Sequence, residues 1–303
     1  MYINRNDIKT DSRSASEAIS VVAPSRASIP SANHRKSEGT KENADKGFLP
    51  DVSNACPLKK SGVLLTFDDG WNLSLWRQHL PLFEKYGTRC TFFINGAHNF
   101  NTNDDQAIKE IHDAGHEIAA HGANHIRAPE FIKEKGVSAY LRSEIEPLNA
   151  VLKTKGYEPT SFAYPMGDRN DTVDMALMSY YRHVRSGQKV PRRQTLASSD
   201  VFFTPLDRVI SCFRLIGCDF DGMDEMMLVN QFFPGLKRLA EKQEVLVLFS
   251  HRITDHAEKN FVKPGPLEKL LNKVAELNLE FYRFCDLPSR FPIRVKDKTA
   301  FSV

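Results

Sequence analysis

The sequence predicts an α/β fold built on a mainly parallel sheet, open or closed into a barrel. From Val63 onward, short runs rich in β-branched and aromatic residues alternate with longer segments of helical periodicity, the order that crossover helices impose on parallel strands. Several of the short runs end in polar or unusual residues, as in "TFDDG", "AAHGANH", "FAYPMG", "VRSG" and "LFSH". Those are the strand ends beyond which α/β folds collect their ligands. Residues 1–58 differ from the rest: they are rich in Ser, Lys, Asn and Glu, and the first leucine is Leu49. Such a stretch buries too little apolar area to offset chain entropy, so 1–58 is expected to be disordered or low in complexity, with 59–303 as the folded domain.

The strand candidates, in order, are "VLLTF", "RCTFFIN", "HEIAAH", "TSFAYP", "YRHVRS" and "EVLVLFS", with "LEFYRF" as a last one. Between them "SLWRQHLPLFEKY", "NDDQAIKEIHDAG", "GVSAYLRSEIEPLNAVLKTKG", "DTVDMALMSYY", "EMMLVNQFFPGLKRLAEKQ" and "GPLEKLLNKVAEL" carry helical spacing. Gly115 and Gly156 stand where two of these helices should stop. Residues between Ser186 and Met226 read as a long insert.

Composition narrows the function classes. Of 303 residues, 41% are hydrophobic and 26% charged, which is enough for a sizeable core. The formal net charge of +3 gives no electrostatic footprint for nucleic acid or a membrane surface. Five cysteines (Cys56, Cys90, Cys212, Cys218, Cys285) form no CxxC pair, and the odd count favours reduced thiols, with Cys212–Cys218 as an open alternative. No run reaches the 18 apolar residues of a spanning helix. "AISVVA" is too short and too far in for a signal peptide. The chain as written therefore reads as cytoplasmic, or as an envelope or secreted protein if a leader is missing.

Two pairs of residues point to chemistry. Asp68 and Asp69 sit side by side where an apolar strand ends, although each disfavours ionisation of the other. His121 and His125 are four apart, a spacing that sets two imidazoles on one face of a helical turn. Two imidazoles and a carboxylate make a three-ligand divalent-metal site with an open position, and a cation there would offset the repulsion within the aspartate pair. Alone, "DDG" reads first as a turn with solvated carboxylates, and HxxxH is weak evidence. His251, ending the most apolar strand, has a pKa suited to general acid work; by itself it reads equally as a structural strand cap.

The ordered set "TFDDG", "HGANH", "FAYPMG" and "LFSH", with "CTFFINGAHN" and "IHDAGHEIAAHG" nearby, resembles the polysaccharide deacetylases of carbohydrate esterase family 4 over roughly residues 61–287. The resemblance implies a distorted (β/α) barrel and metal-dependent removal of N-acetyl groups from the amino sugars of a polysaccharide or glycan precursor. Position by position, Asp68 resembles the catalytic base, Asp69, His121 and His125 the metal ligands, and His251 the general acid. The metal expected is zinc, with cobalt, nickel or manganese as alternatives. Met166 stands where a backbone N–H would hold the oxyanion, within a substrate or oxyanion segment of Tyr164, Pro165 and Met166. Apart from the resemblance, Trp71 and Phe220 are candidate sugar-stacking platforms, with core packing the first reading of either taken singly. The third motif departs from the family's R-x-P-Y-G: Ala163 replaces the arginine that would tether the base, and the chain shows the F-x-Y-P form instead. Arg185, at the next strand end, is the proposed replacement. The aspartate that should orient His251 is not singled out among Asp207, Asp219, Asp221 and Asp286. Other readings are an amidohydrolase acting on a small non-sugar amide, and an inactive carbohydrate-binding relative. The oligomeric state is not legible in the sequence.

Overall fold

The computed structural model describes residues 58–294. The segment expected to be disordered, apart from Leu58, lies outside the described residues, as does Cys56. The strands are β1 (Gly62–Asp68), β2 (Thr91–Ile94), β3 (Glu117–Ala120), β4 (Ser161–Ala163), β5 (His183–Gln188), β6 (Phe203–Pro205), β7 (Arg214–Asp219) and β8 (Glu244–Ser250). Short β9 (Arg252–Ile253), β10 (Phe261–Val262) and β11 (Glu280–Phe281) follow.

Seven of them close a parallel barrel in the order β1-β2-β3-β4-β5-β7-β8, with β8 pairing back onto β1 from Gly62↔Val245 to Phe67↔Ser250. The barrel is pinched at β3–β4, whose register is the single pair Ala120↔Phe162. β11 adds in parallel beside the start of β1, and β6 pairs antiparallel with β8. β1 and β8 are buried on both faces, which is why they read as continuous apolar runs and not as alternating ones.

β7 is a barrel strand that the sequence reading absorbed into an insert. "RLIGCD" carries an arginine, a glycine and a cysteine, so its local pattern is weak. It is a strand because β5 and β8 need a partner between them, and it pairs with both. The expected last strand shrinks to Glu280–Phe281.

Helices pack around the barrel, and prolines break or widen three of them. The first expected helix divides into Leu73–Arg77 and Leu80–Lys85, with Pro81 in the first turn of the second. Leu141–Ile145 and Leu228–Phe232 wind as π turns just ahead of Pro147 and Pro234. Proline has no N–H to donate and crowds the carbonyl four residues back, and a widened turn accommodates both. The main core gathers Phe67, Trp76, Phe83 and Phe92 between barrel and helices; Phe67 stacks on Phe92 at 5.5 Å. Phe220 is fully buried against Phe67 and Phe232, so it cannot be the sugar platform the sequence suggested. Cys90, Cys212, Cys218 and Cys285 are free thiols. Among the described residues, no helix is long and apolar enough to cross a membrane.

His116 closes the outer end of this core. Its Nδ1 accepts from the Cys90 N–H at 3.0 Å, and its ring stands edge-on to Phe83 and Phe92. Burial, with a smaller contribution from Arg283, lowers its pKa to about 4. The unfolded chain therefore takes up a proton between about pH 6.5 and 4 that the native state refuses, so stability falls on acidification through that window. The expected contribution is on the order of 3 kcal/mol. Denaturant titrations from pH 7 to 4 should show a shallower loss for His116→Gln; an unchanged slope contradicts it.

Candidate active site

All the strand ends singled out in the sequence meet at the carboxyl end of the barrel, around an open cavity of about 390 Å³ lined by Asp68, Asp69, His121, His125, Arg185 and His251. Parallel pairing explains the convergence: strands in one register direction deliver their C-terminal residues to one face.

The aspartate pair is split by the backbone. Asp68 is the last residue of β1, 3% exposed, and its Oδ2 accepts from Arg185 Nη2. Its Oδ1 is buried without a hydrogen-bond partner among the described residues. Asp69 leaves the strand at φ 78° with its N–H on the Phe93 carbonyl. Its Oδ1 lies 3.7 Å from His121 Nε2 and 3.4 Å from His125 Nε2. Asn95, at the end of β2, accepts from Gly70 N at 2.7 Å and donates to Asp69 Oδ1 at 3.3 Å. Sequence reasoning passed over Asn95; its only signal was a polar residue closing "TFFIN".

Different surroundings give the two carboxyls different proton affinities. Burial alone would raise both. At Asp68 the charge and hydrogen bond of Arg185 first, and the charge of His251, overcome it and hold the pKa below the usual value. At Asp69 burial dominates, reinforced by Asp68 and Asp221, and the pKa rises to about 7. A carboxyl in that position is stabilised as an anion by a cation.

His121 and His125 do not share a helical turn, as their spacing suggested. They bracket a loop after β3 in which Gly122 and His125 both take positive φ, 81° and 59°. The loop folds back so that both rings face Asp69, 4.9 Å apart. His121 Nδ1 bonds the Ala163 carbonyl at 2.8 Å, which leaves Nε2 unprotonated and turned inward, the tautomer a ligand needs. Burial lowers its pKa to about 3, keeping the ring neutral. Asp69, His121 and His125 offer ligand atoms all within 4.8 Å of one another, a group able to hold a metal ion. The donor set of two nitrogens and one carboxylate oxygen fits a divalent cation of the zinc type.

Arg185 comes from β5 and is 1% exposed. Its guanidinium lies 4.3 Å from the Phe249 ring centroid and 5.3 Å from that of Phe93. A Cβ on Gly187 or Gly217 would come within 3.0 Å of the Arg185 side chain, so both glycines make the room it occupies.

His251 follows β8. Its Nδ1 meets Asp221 Oδ2 at 2.6 Å, while Ser250 Oγ and the His251 N–H donate to Asp221 Oδ1. Burial opposes the imidazolium, but the bond to Asp221 and the carboxylates of Asp68, Asp221 and Asp69 outweigh it and raise the pKa to about 9. Asp221 is thus the aspartate the sequence could not single out. Asp219 also lines the cavity, and Asp286 pairs with Arg283 instead.

The third motif divides. Met166 is exposed, at φ 58°, on the cavity lip, and Pro165 is buried beneath it. Tyr164 is not a site residue: its side chain is fully buried and its hydroxyl donates to Asp174 at 2.6 Å. Strand alternation turns it outward, away from the cavity side. Trp71 is 63% exposed and edge-on to His125 at 5.7 Å.

These features define a buried polar site, able to hold a metal ion, at the carboxyl end of a parallel (β/α) barrel. Residues 56–182 match the family model described as polysaccharide deacetylase. Over that stretch the chain is similar to the polysaccharide deacetylase family. It is similar to the uncharacterized protein YlxY of Bacillus subtilis (strain 168), 29% identical over 119 residues, covering 39% of this chain and 35% of that protein. It is also similar to peptidoglycan-N-acetylglucosamine deacetylase PgdA of Listeria monocytogenes, 27% identical over 125 residues, covering 41% of this chain and 25% of that protein. The matches therefore span about a third and a quarter of these relatives' lengths. A solved CE4 esterase of Streptococcus mutans superposes with a TM-score of 0.49 at 16% identity, covering 77% of this chain and 89% of that one.

Proposed function

We propose that this chain is a metal-dependent hydrolase that removes N-acetyl groups from amino sugars of a polysaccharide or glycan precursor. The observation that carries it is the meeting of three units in one cavity: Asp68 with Arg185, the ligand group Asp69, His121 and His125, and His251 with Asp221. A divalent cation held by the ligand group, zinc first and cobalt, nickel or manganese as alternatives, supplies Lewis acidity toward the acetamide oxygen and lowers the pKa of water.

Asp68 is the base. Arg185 occupies its Oδ2 and keeps it ionised, leaving the partnerless Oδ1 to take a proton from the attacking water. His251 is the acid: Asp221 receives Nδ1–H, which aims Nε2 at the leaving amine and keeps the ring protonated until the C–N bond breaks. The main-chain N–H of Met166 is the proposed oxyanion donor, and Trp71 offers an exposed ring for a sugar face. The names of the PgdA-type relatives put wall N-acetylglucosamine first among substrates.

The test is acetate release from peptidoglycan, chitooligosaccharides and poly-N-acetylglucosamine, with metal content measured on the same protein. Metal bound near one equivalent and acetate released from at least one N-acetylated glycan are expected. Metal-loaded protein that releases none overturns the deacetylase reading.

A further inference from the structure

The loop carrying the two histidines is not held by regular structure, and its hydrogen bonds converge on one side chain outside the ligand group. Glu144 is fully buried, on the π turn Leu141–Ile145. Its carboxylate accepts the Asn124 N–H at 3.0 and 3.2 Å, the Asn124 side-chain amide at 2.9 Å and the Ile126 N–H at 3.3 Å. Its own carbonyl accepts the Ala123 N–H at 2.9 Å, and the neighbouring Ser143 carbonyl accepts the Asn124 amide at 3.0 Å. Every one of these donors lies between His121 and Arg127.

Two further observations tie Glu144 to the loop. A Cβ on Gly122 would sit 2.7 Å from Glu144 Oε2, so the residue after His121 must be small for the carboxylate to come this close. Gly122 also takes φ 81°, which side-chain-bearing residues adopt reluctantly. The π turn supplies the other half of the fit. A helix widened by one residue changes which side chains face inward, and here Glu144 and Ile145 are both buried. Main-chain and side-chain amide N–H groups supply the Glu144 carboxyl oxygens with their hydrogen bonds.

We propose that Glu144 is a positioning residue for the metal-binding histidines: its buried carboxylate fixes the 122–126 loop and so sets where His125 stands relative to His121 and Asp69. This rests on the metal-dependent reading of the same site. Glu144 touches neither ligand ring nor cavity; it acts through the backbone of the loop, as outer-shell groups do when they hold ligands in place.

Glu144→Gln tests it. One carboxylate oxygen becomes an NH₂ that faces loop N–H donors, so the loop loses an acceptor while the side-chain volume stays the same. Metal-free wild type and variant are titrated with Co²⁺, and binding is followed by the visible absorption of the bound ion, with melting of the metal-free proteins alongside. The variant is expected to stay folded, bind Co²⁺ about 10- to 100-fold more weakly and show an altered absorption envelope. A folded variant with unchanged Co²⁺ affinity and spectrum overturns the proposal and leaves the metal site standing. Wild type that binds no Co²⁺ overturns the metal reading, and this inference with it. Should Glu144→Gln fail to fold, Asn124→Ala removes only the exposed amide donor to Glu144 and Ser143. A severalfold loss of Co²⁺ affinity then supports the proposal, and no change rejects it.

Discussion

Arg185→Met is expected to cost about 3–5 kcal/mol of stability, and turnover with it, because it strips the counter-charge from a buried carboxylate. Asp68 is 3% exposed and its ion pair with Arg185 is its strongest favourable contact. Methionine fills part of the space between Phe93 and Phe249 but offers Asp68 neither charge nor donor. The carboxyl pKa, held down mainly by Arg185 against burial, must then rise. Less of the base is ionised at neutral pH, and the acid limb of the pH–rate profile should move upward. Denaturant unfolding at pH 7 checks the stability, and the pH profile checks the tether. The double variant Asp68→Asn with Arg185→Met should recover most of the lost stability, since removing both charges costs far less than removing one. A single variant as stable as wild type, with an unmoved acid limb, refutes the tether. Arg185→Lys should be intermediate: it keeps the charge but loses the planar stacking on Phe249.

Asp68→Asn is the second large effect. The amide cannot take a proton from water, and losing a positioned general base lowers turnover by about 10²–10⁴-fold. Metal content should be unchanged, because the ligand group uses Asp69 and not Asp68. The substitution leaves Arg185 buried with a neutral partner, so turnover must be compared per folded, metal-loaded molecule. Turnover within threefold of wild type under that normalisation would remove Asp68 from the base role.

Local pattern revealed the site better than it revealed the scaffold. Asp68, Asp69, His121 and His251 were legible because each breaks an apolar strand at its end, where a polar residue has no packing reason to be, and His125 by its spacing from His121. Asp221 and Asn95 were hidden for opposite reasons. Asp221 lay among several aspartates with nothing local to rank it, and Asn95 looked like an ordinary strand terminus. β7 was missed because "RLIGCD" lacks a strong apolar run; its partners on either side make it a strand. Tyr164 was assigned to the site by its place in a motif, yet side-chain alternation puts it in the core.

The sequence by itself determined the α/β order, the strand ends that carry chemistry and the kinds of side chain that meet there. These follow from periodicity and polarity, which are properties of neighbouring residues. Only the tertiary structure decided that the sheet closes, that Arg185 on β5, which the sequence could only offer as a candidate, reaches Asp68 on β1, that Asp221 serves His251 and that Glu144 bonds the histidine loop. Each of those is a contact across 18 to 183 positions of chain. Such contacts depend on barrel register and burial, and no local pattern of residues encodes either.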